Sequence, residues 1–151
     1  MDVYRCPGCG HFAPVEAEAP SVHGCPGCGG AVSAEGGPQA VSLAALGEAI
    51  RAAPIPLLVE FWAPDCEPCL ASGVVLDAVG HRLAGDAVVL RIDVEENPEA
   101  TEAYGVLAVP TVVLFIAGRE RGRRVGPLQA RALEEWVHTA GRAPLAPGAR
   151  A

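Results

Sequence analysis

The sequence contains no lysine: its 11 basic residues are all arginine, against 18 acidic ones, for a formal charge of −7. The missing lysine reads as genome composition, but the shortage of positive charge has a physical consequence. Such a chain is poorly suited to the counterion release that drives nucleic-acid binding, so no nucleic-acid partner is expected. Also missing is any apolar stretch near the roughly 20 residues of a membrane span, so no membrane association is expected. Met1-Asp2-Val3-Tyr4-Arg5 runs straight into Cys6 without the apolar core of a secretory leader. The expected location is therefore cytoplasmic, where thiols stay reduced. There, six cysteines point to metal and redox chemistry rather than to a disulfide framework. Half of the 151 residues are hydrophobic, enough for one ordinary domain and a small appendage.

What is present is organised around Phe61-Trp62-Ala63-Pro64-Asp65-Cys66-Glu67-Pro68-Cys69. Ile55 to Trp62 is a nearly unbroken apolar run, as for a strand covered on both faces. Pro64 ends the strand, and Pro68 suits the first turn of a helix, where its missing N–H costs little. From Leu70 to Leu83 apolar residues recur at three- and four-residue steps, and Leu70, Val74, Val75, Leu76, Val79 and Leu83 are expected to form one inward stripe. Cys66 then stands at a helix N-terminus, where unpaired N–H groups and the macrodipole favour a thiolate. Cys69 is near enough to close a small disulfide ring. Strand, CxxC and helix in a reducing compartment read as a thiol–disulfide exchange centre, with a metal pair as the competing reading. Cys66 would attack a partner disulfide and Cys69 would resolve the mixed disulfide.

Residues 1–32 form a separate piece. Cys6-Pro7-Gly8-Cys9-Gly10 recurs as Cys25-Pro26-Gly27-Cys28-Gly29, with 15 residues between Cys9 and Cys25. Two such turns are the spacing of a ribbon in which Cys6, Cys9, Cys25 and Cys28 bind one structural zinc. The ion would replace a core that about 30 residues cannot supply. Local disulfides or free thiols are the plainer alternative, and His11 and His23 beside the repeats are expected to stay outside the ligand set.

Residues 33–38 read as a linker, residues 39–140 as the main domain, and the Gly-, Pro- and Ala-rich residues 141–151 as a disordered tail. Within the main domain Gln39-Ala40-Val41 is a weak strand and Ser42 an N-cap for a helix over 43–52. Further strands are expected over 87–93, 111–116 and 123–125. Helices are expected from Glu95 to Tyr104 and over 128–139, the last with Leu133, Trp136 and Val137 inward. This alternation implies an α/β fold with helices on both faces of a sheet.

The segment Val59 to Cys69 resembles the active-site segment of the thioredoxin family. The likeness continues through Arg91-Ile92-Asp93-Val94, Asn97-Pro98, Tyr104-Gly105-Val106, Val109-Pro110-Thr111 and Gly126, and the N-terminal repeat is similar to that of bacterial thioredoxins carrying a zinc ribbon. The resemblance implies the thioredoxin fold, a central mixed sheet flanked by helices, preceded by a small zinc-ribbon domain. It implies a monomeric protein-disulfide reductase acting on disulfide-containing proteins and reduced by a flavin-dependent thioredoxin reductase. No organic cofactor of its own is expected.

By the same resemblance the Val109–Pro110 bond is cis and lies against the CxxC, although folded proteins hold only about 5–6% of X-Pro bonds in that form. Val109 would pair through its backbone with an incoming peptide, Trp62 would shape the rim, and Gly126 would leave bare backbone beside the substrate groove. Plain packing for Trp62 and a plain turn for Gly126 are the alternatives. Glu60 stands where the family usually has Asp, the proton acceptor for the buried cysteine. A carboxylate in an apolar strand is costly to bury in its charged form, unless it turns to solvent at the strand end. Its extra methylene would let it reach Cys69 directly, and Arg91 is a candidate partner for it. Asp65, Glu67 and Leu70 depart from the usual Trp, Gly and Lys. The two carboxylates are expected to oppose ionisation of Cys66, by less than about 1 kcal/mol each, and to favour basic partner surfaces. Two rival functions fit the same residues: an oxidase or isomerase on this fold, or a zinc-dependent redox-sensing, chaperone-like binding module.

Overall fold

In the ribbon, each CPGC stretch is the turn of a hairpin. The computed structural model describes residues 2–16 and 20–142. β1 (Asp2–Arg5) pairs antiparallel with β2 (Phe12–Val15), and β3 (Val22–Gly24) with β4 (Ala31–Ser33). The two turns repeat each other bond for bond: Cys6 N–H donates to His11 O and Gly10 N–H to Cys6 O, as Cys25 N–H does to Gly30 O and Gly29 N–H to Cys25 O. The sequence repeat is thus a structural repeat.

After the linker come β5 (Gln39–Ala40), α1 (Leu43–Ala52), β6 (Leu57–Trp62), α2 (Glu67–Arg82), β7 (Val88–Asp93), α3 (Ala100–Ala103), β8 (Thr111–Ile116), β9 (Arg119–Val125) and α4 (Ala130–Arg142). The strands form one five-stranded sheet in the order β5-β7-β6-β8-β9. β5, β7 and β6 run parallel, while β8 is antiparallel to both β6 and β9. The mixed α/β sheet expected from the sequence is therefore the observed one.

β6 lies at the middle of this sheet, and its side chains alternate between the two faces. Leu57, Val59 and Phe61 join Leu46, Leu90, Ile92 and Val113 in one core under α1. Leu58 packs on the other face with Leu76, Val79 and Leu83 of the α2 region and Leu133 and Val137 of α4. Glu60 shares the face of Leu58 and so points toward α2.

Several boundaries differ from the sequence reading. β6 begins at Leu57, because Pro54 and Pro56 precede it and lack the N–H that ladder pairing needs. The expected helix over 95–104 is one turn, Ala100–Ala103. Asp93 Oδ1 accepts from the backbone N–H groups of Glu95 and Glu96, which holds the segment as a capped turn instead. β9 is longer than expected, starting at Arg119 after a tight turn in which Ala117 takes a φ of 54°. α4 runs from Ala130 to Arg142, so Gly141 and Arg142 end a helix where a tail was expected; residues 143–151 lie outside the described residues.

The inward stripe of α2 is also corrected. Leu70 is 61% exposed and Val74 74% exposed. The buried positions are Cys69, Ser72, Leu76, Val79 and Gly80. Leu76, Val79 and Leu83 are buried as expected, but α2 is apolar around much of its circumference, so hydrophobic letters alone do not place its first turns, where Cys69 and Ser72 take the inward positions.

Candidate redox and metal sites

Cys66 is the N-cap of α2. Its backbone is extended (φ −104°, ψ 109°), and its sulfur accepts the N–H of Cys69 at 3.1 Å. Pro68 in the first turn gives up a donor that would have no intrahelical partner. Cys66 and Cys69 are joined as a disulfide with Cα atoms 5.1 Å apart. Cys66 is partly exposed and Cys69 fully buried, so an approaching molecule meets Cys66 first. Asp65 and Glu67 flank it and are both exposed.

The loop before β8 closes over this pair. The Val109–Pro110 peptide is cis, and Val109 O lies 3.8 Å from Cys66 Sγ. Gly126 reaches the same place from the end of β9, donating its N–H to Pro110 O at 3.4 Å. A Cβ on Gly126 would meet no atom within 4 Å, but its φ of +95° is one that other residues adopt only with strain. The glycine is required by conformation rather than by crowding.

Beneath the disulfide lies a buried polar group. Glu60 has no exposed surface. Arg91 Nε, from the register-paired position on β7, donates to Glu60 Oε1 at 2.7 Å. The Arg91 guanidinium also stacks on Trp62, 4.3 Å from its ring centre. Glu60 Oε2 is hydrogen bonded to the Ser72 hydroxyl, and Ser72 Oγ lies 3.0 Å from the carbonyl oxygen of Cys69. Glu60 thus approaches Cys69 through Ser72 and the backbone, where its length had suggested direct contact with the sulfur.

A hydroxyl carries one hydrogen, so Ser72 cannot donate to both neighbours at once. With Glu60 ionised, Ser72 donates to the carboxylate. The buried carboxylate is thus hydrogen bonded by both Arg91 and Ser72, which offsets the penalty for an unpaired buried group. Sequence reading missed Ser72. Its signal was present: a small polar residue at the third position after Cys69, in line with Leu76 and Val79.

The ribbon brings Cys6, Cys9, Cys25 and Cys28 together, their sulfurs all within 4.8 Å of one another. None is in a disulfide. Cys6 and Cys28 sulfurs are 3.7 Å apart and those of Cys9 and Cys25 3.6 Å. A tetrahedron with metal–sulfur bonds of about 2.3 Å has edges of about 3.8 Å, so the spacing fits a four-thiolate centre. Gly27 and Gly30 N–H groups donate to the sulfurs of Cys25 and Cys28 at 3.3 Å each. Backbone N–H donation from Cys9 and Gly8 brings the Cys6 thiol down to about 7. Against the pull of the His11 N–H, burial and the neighbouring sulfurs push Cys9 up to about 12. Four crowded thiols ionise together only when a cation joins them. His11 and His23 lie outside the cluster among the described residues.

A family model described as Thioredoxin matches residues 39–139, beginning just after the ribbon and linker. A thioredoxin of Rickettsia conorii is 33% identical over 84 residues, which is 56% of this chain and 80% of that protein. One from Rickettsia bellii is 34% identical over 91 residues, 60% of this chain and 87% of its own length. Among solved structures, a mutant thioredoxin from Halobacterium salinarum superposes with a TM-score of 0.61 at 32% identity, covering 72% of this chain and 94% of that one.

Proposed function

On the premise that this chain belongs to the thioredoxin family of thiol–disulfide oxidoreductases, we propose that its Cys66/Cys69 pair reduces protein disulfides. The observation that carries the assignment is the partly exposed sulfur at the α2 N-terminus, joined to a buried one and faced by the cis Val109–Pro110 loop.

In the reduced protein, the Cys66 thiolate attacks one sulfur of a partner's disulfide. That bond breaks, the partner's other sulfur leaves as a thiolate, and a mixed disulfide forms. Cys69 then gives up its proton and attacks Cys66 Sγ. The partner's second sulfur leaves and the Cys66–Cys69 disulfide closes, so two electrons have passed to the partner. The helix N-terminus favours the Cys66 thiolate. We assign Glu60, held by Arg91 and bridged to the Cys69 turn by Ser72, as the acceptor of that proton, with water completing the path from the Cys69 sulfur. Val109 offers its backbone to an extended peptide, with Trp62 at the rim and Gly126 leaving room opposite Pro110.

Two electrons must be returned for each turnover, and a flavin-dependent thioredoxin reductase is the donor that family membership suggests. The reading places the protein in the cytoplasm as a monomer acting on disulfide-bearing proteins. Cys6, Cys9, Cys25 and Cys28 would hold a zinc ion, whose chemistry there is structural: it neutralises and cross-links four thiolates. No step of disulfide exchange passes through it.

Coupled oxidation of NADPH by thioredoxin reductase, with a protein disulfide as acceptor, tests the assignment. Wild type should turn over, Cys66→Ser should be inactive, and Cys69→Ser should accumulate the mixed disulfide. Turnover that survives Cys66→Ser sinks the mechanism.

A further inference from the structure

Arg5 is only 7% exposed, an unusual burial for a residue that always carries charge. It ends β1, directly before Cys6. Its Nη1 donates to Gln39 Oε1 at 2.6 Å, and Gln39 Nε2 donates back to Arg5 O at 2.9 Å. Its Nε is buried without a hydrogen-bond partner. Room for the guanidinium comes from Gly10, whose φ is +81° and where a Cβ would approach Arg5 Nη2 to 3.2 Å.

No carboxylate pairs with this cation among the described residues. Glu48 of α1 faces it across a cleft of about 310 Å³ that Cys9 and His11 also line, without forming an ion pair. A buried cation ordinarily needs an anion close by. Four thiolates around a divalent ion carry a net charge of −2, which supplies one. The two groups answer each other: the loaded cluster has excess negative charge, and the adjacent guanidinium lacks a counter-ion.

We infer that Arg5 is a positioning residue of the four-cysteine centre, counter-charging the metal tetrathiolate and, through Gln39 on β5, fixing the loaded ribbon against the edge of the main sheet. This rests on the reading that the cluster holds a metal. The chain of contacts is short. The metal holds Cys6, Cys6 is adjacent to Arg5, and Arg5 is clamped to a strand of the other domain. Val3 N–H, donating to Gly85 O at 3.0 Å, is a second tether on the same edge.

The test is metal affinity of the full chain, with Co²⁺ and then Zn²⁺ titrated against a chromophoric chelator, for wild type, Arg5→Met, Arg5→Lys and Gln39→Leu. Removing an outer partner of a metal site typically weakens binding about 10–100-fold, and Arg5→Met should fall in that range. Arg5→Lys keeps the charge and should stay within about threefold of wild type, as should Gln39→Leu. Gln39→Leu should instead expose residues 34–38 to protease in the metal-loaded protein. The Co²⁺–thiolate absorption of each variant reports whether the four-sulfur geometry survives. Affinity within about twofold of wild type for Arg5→Met, or equal losses for Met and Lys, overturns the inference. A wild-type chain that binds neither ion defeats the metal reading instead, a distinct outcome.

Discussion

The two parts of this chain are held together by different physics. The ribbon's one apolar cluster among the described residues is Cys6, Cys25 and Val32, with Tyr4 packed against them, and two of those three residues are metal-ligand candidates. The α/β domain closes two apolar clusters, one on each face of its sheet, built mainly from Leu, Ile, Val and Phe of α1, α2, α4, β6, β7 and β8. Hydrophobic burial scales with area, and a piece this small has little area to bury. On the proposal that the cluster holds zinc, the ion makes up for that missing area, whereas the larger domain needs no such help. The same chemical group, a cysteine pair two residues apart, therefore does opposite work in the two parts. In the ribbon the pairs form a cluster whose spacing suits a metal; in the domain Cys66 caps α2, Cys69 lies in its first turn, and the two form an exchangeable disulfide.

On the proposal that the four cysteines hold zinc, removing the ion should break that contrast most decisively. Structural zinc in small finger-like units contributes roughly 10–16 kcal/mol of apparent binding energy at neutral pH. Excess chelator, or Cys25→Ser, should abolish the ribbon's fold while leaving the α/β domain folded. Circular dichroism with and without chelator checks this, since the domain's cooperative melt should persist. A domain that melts together with the ribbon would mean that the two are one cooperative unit.

A cut in the other half should have the reverse signature. Leu76 is fully buried in the cluster beneath α2 and α4. Leu76→Ala deletes buried methyl groups and leaves a cavity, at a cost of about 2–5 kcal/mol. The domain's denaturation midpoint should fall accordingly, with metal stoichiometry unchanged. Loss of metal in this variant would show that the ribbon depends on the domain more than its own cluster implies.

The contrast also decides how much was legible in the sequence. The ribbon announces itself because metal ligands are few, specific and periodic; the repeated CPGC maps onto two hairpin turns with the same hydrogen bonds. The CxxC at a strand–helix junction and the Ser42 cap, which accepts from Ala45 N at 3.1 Å, are equally local signals. Features that depend on several elements at once were harder to read. The first turns of α2 were misjudged because Leu70 and Val74 look as buried as Leu76 and Val79, and only the sheet beneath decides between them. Ser72 was overlooked because its meaning depends on Glu60, which arrives from another element. Nothing local marked Arg5 for burial, because its partner Gln39 lies 34 residues away, beyond the linker. The cis bond before Pro110 came from the family resemblance, since sequence alone favours trans.

The smallest expected effect concerns Arg123 and Glu120 on β9, near the far edge of the sheet from the ribbon. Arg123 Nη2 meets Glu120 Oε1 at 2.7 Å, while its guanidinium also donates to Gly105 O and Tyr104 O at 3.0 Å each. The Arg123 hydrogen bonds hold the Glu120 carboxyl below its ordinary value of 4.5. A carboxyl depressed in the folded state stabilises the fold above its unfolded value, and that contribution is lost as pH falls through the folded one. Because the pair is partly exposed, Glu120→Gln should cost no more than about 1 kcal/mol at pH 7. The gap between variant and wild type should shrink as pH falls below 4.5. Thermal melts of the domain at pH 7 and in acid measure both. Metal content at pH 7 should not respond to this substitution: an ion pair near one edge of the sheet shares no contact with a cluster docked on the other. A change in it would mean that the sheet transmits strain between its two edges.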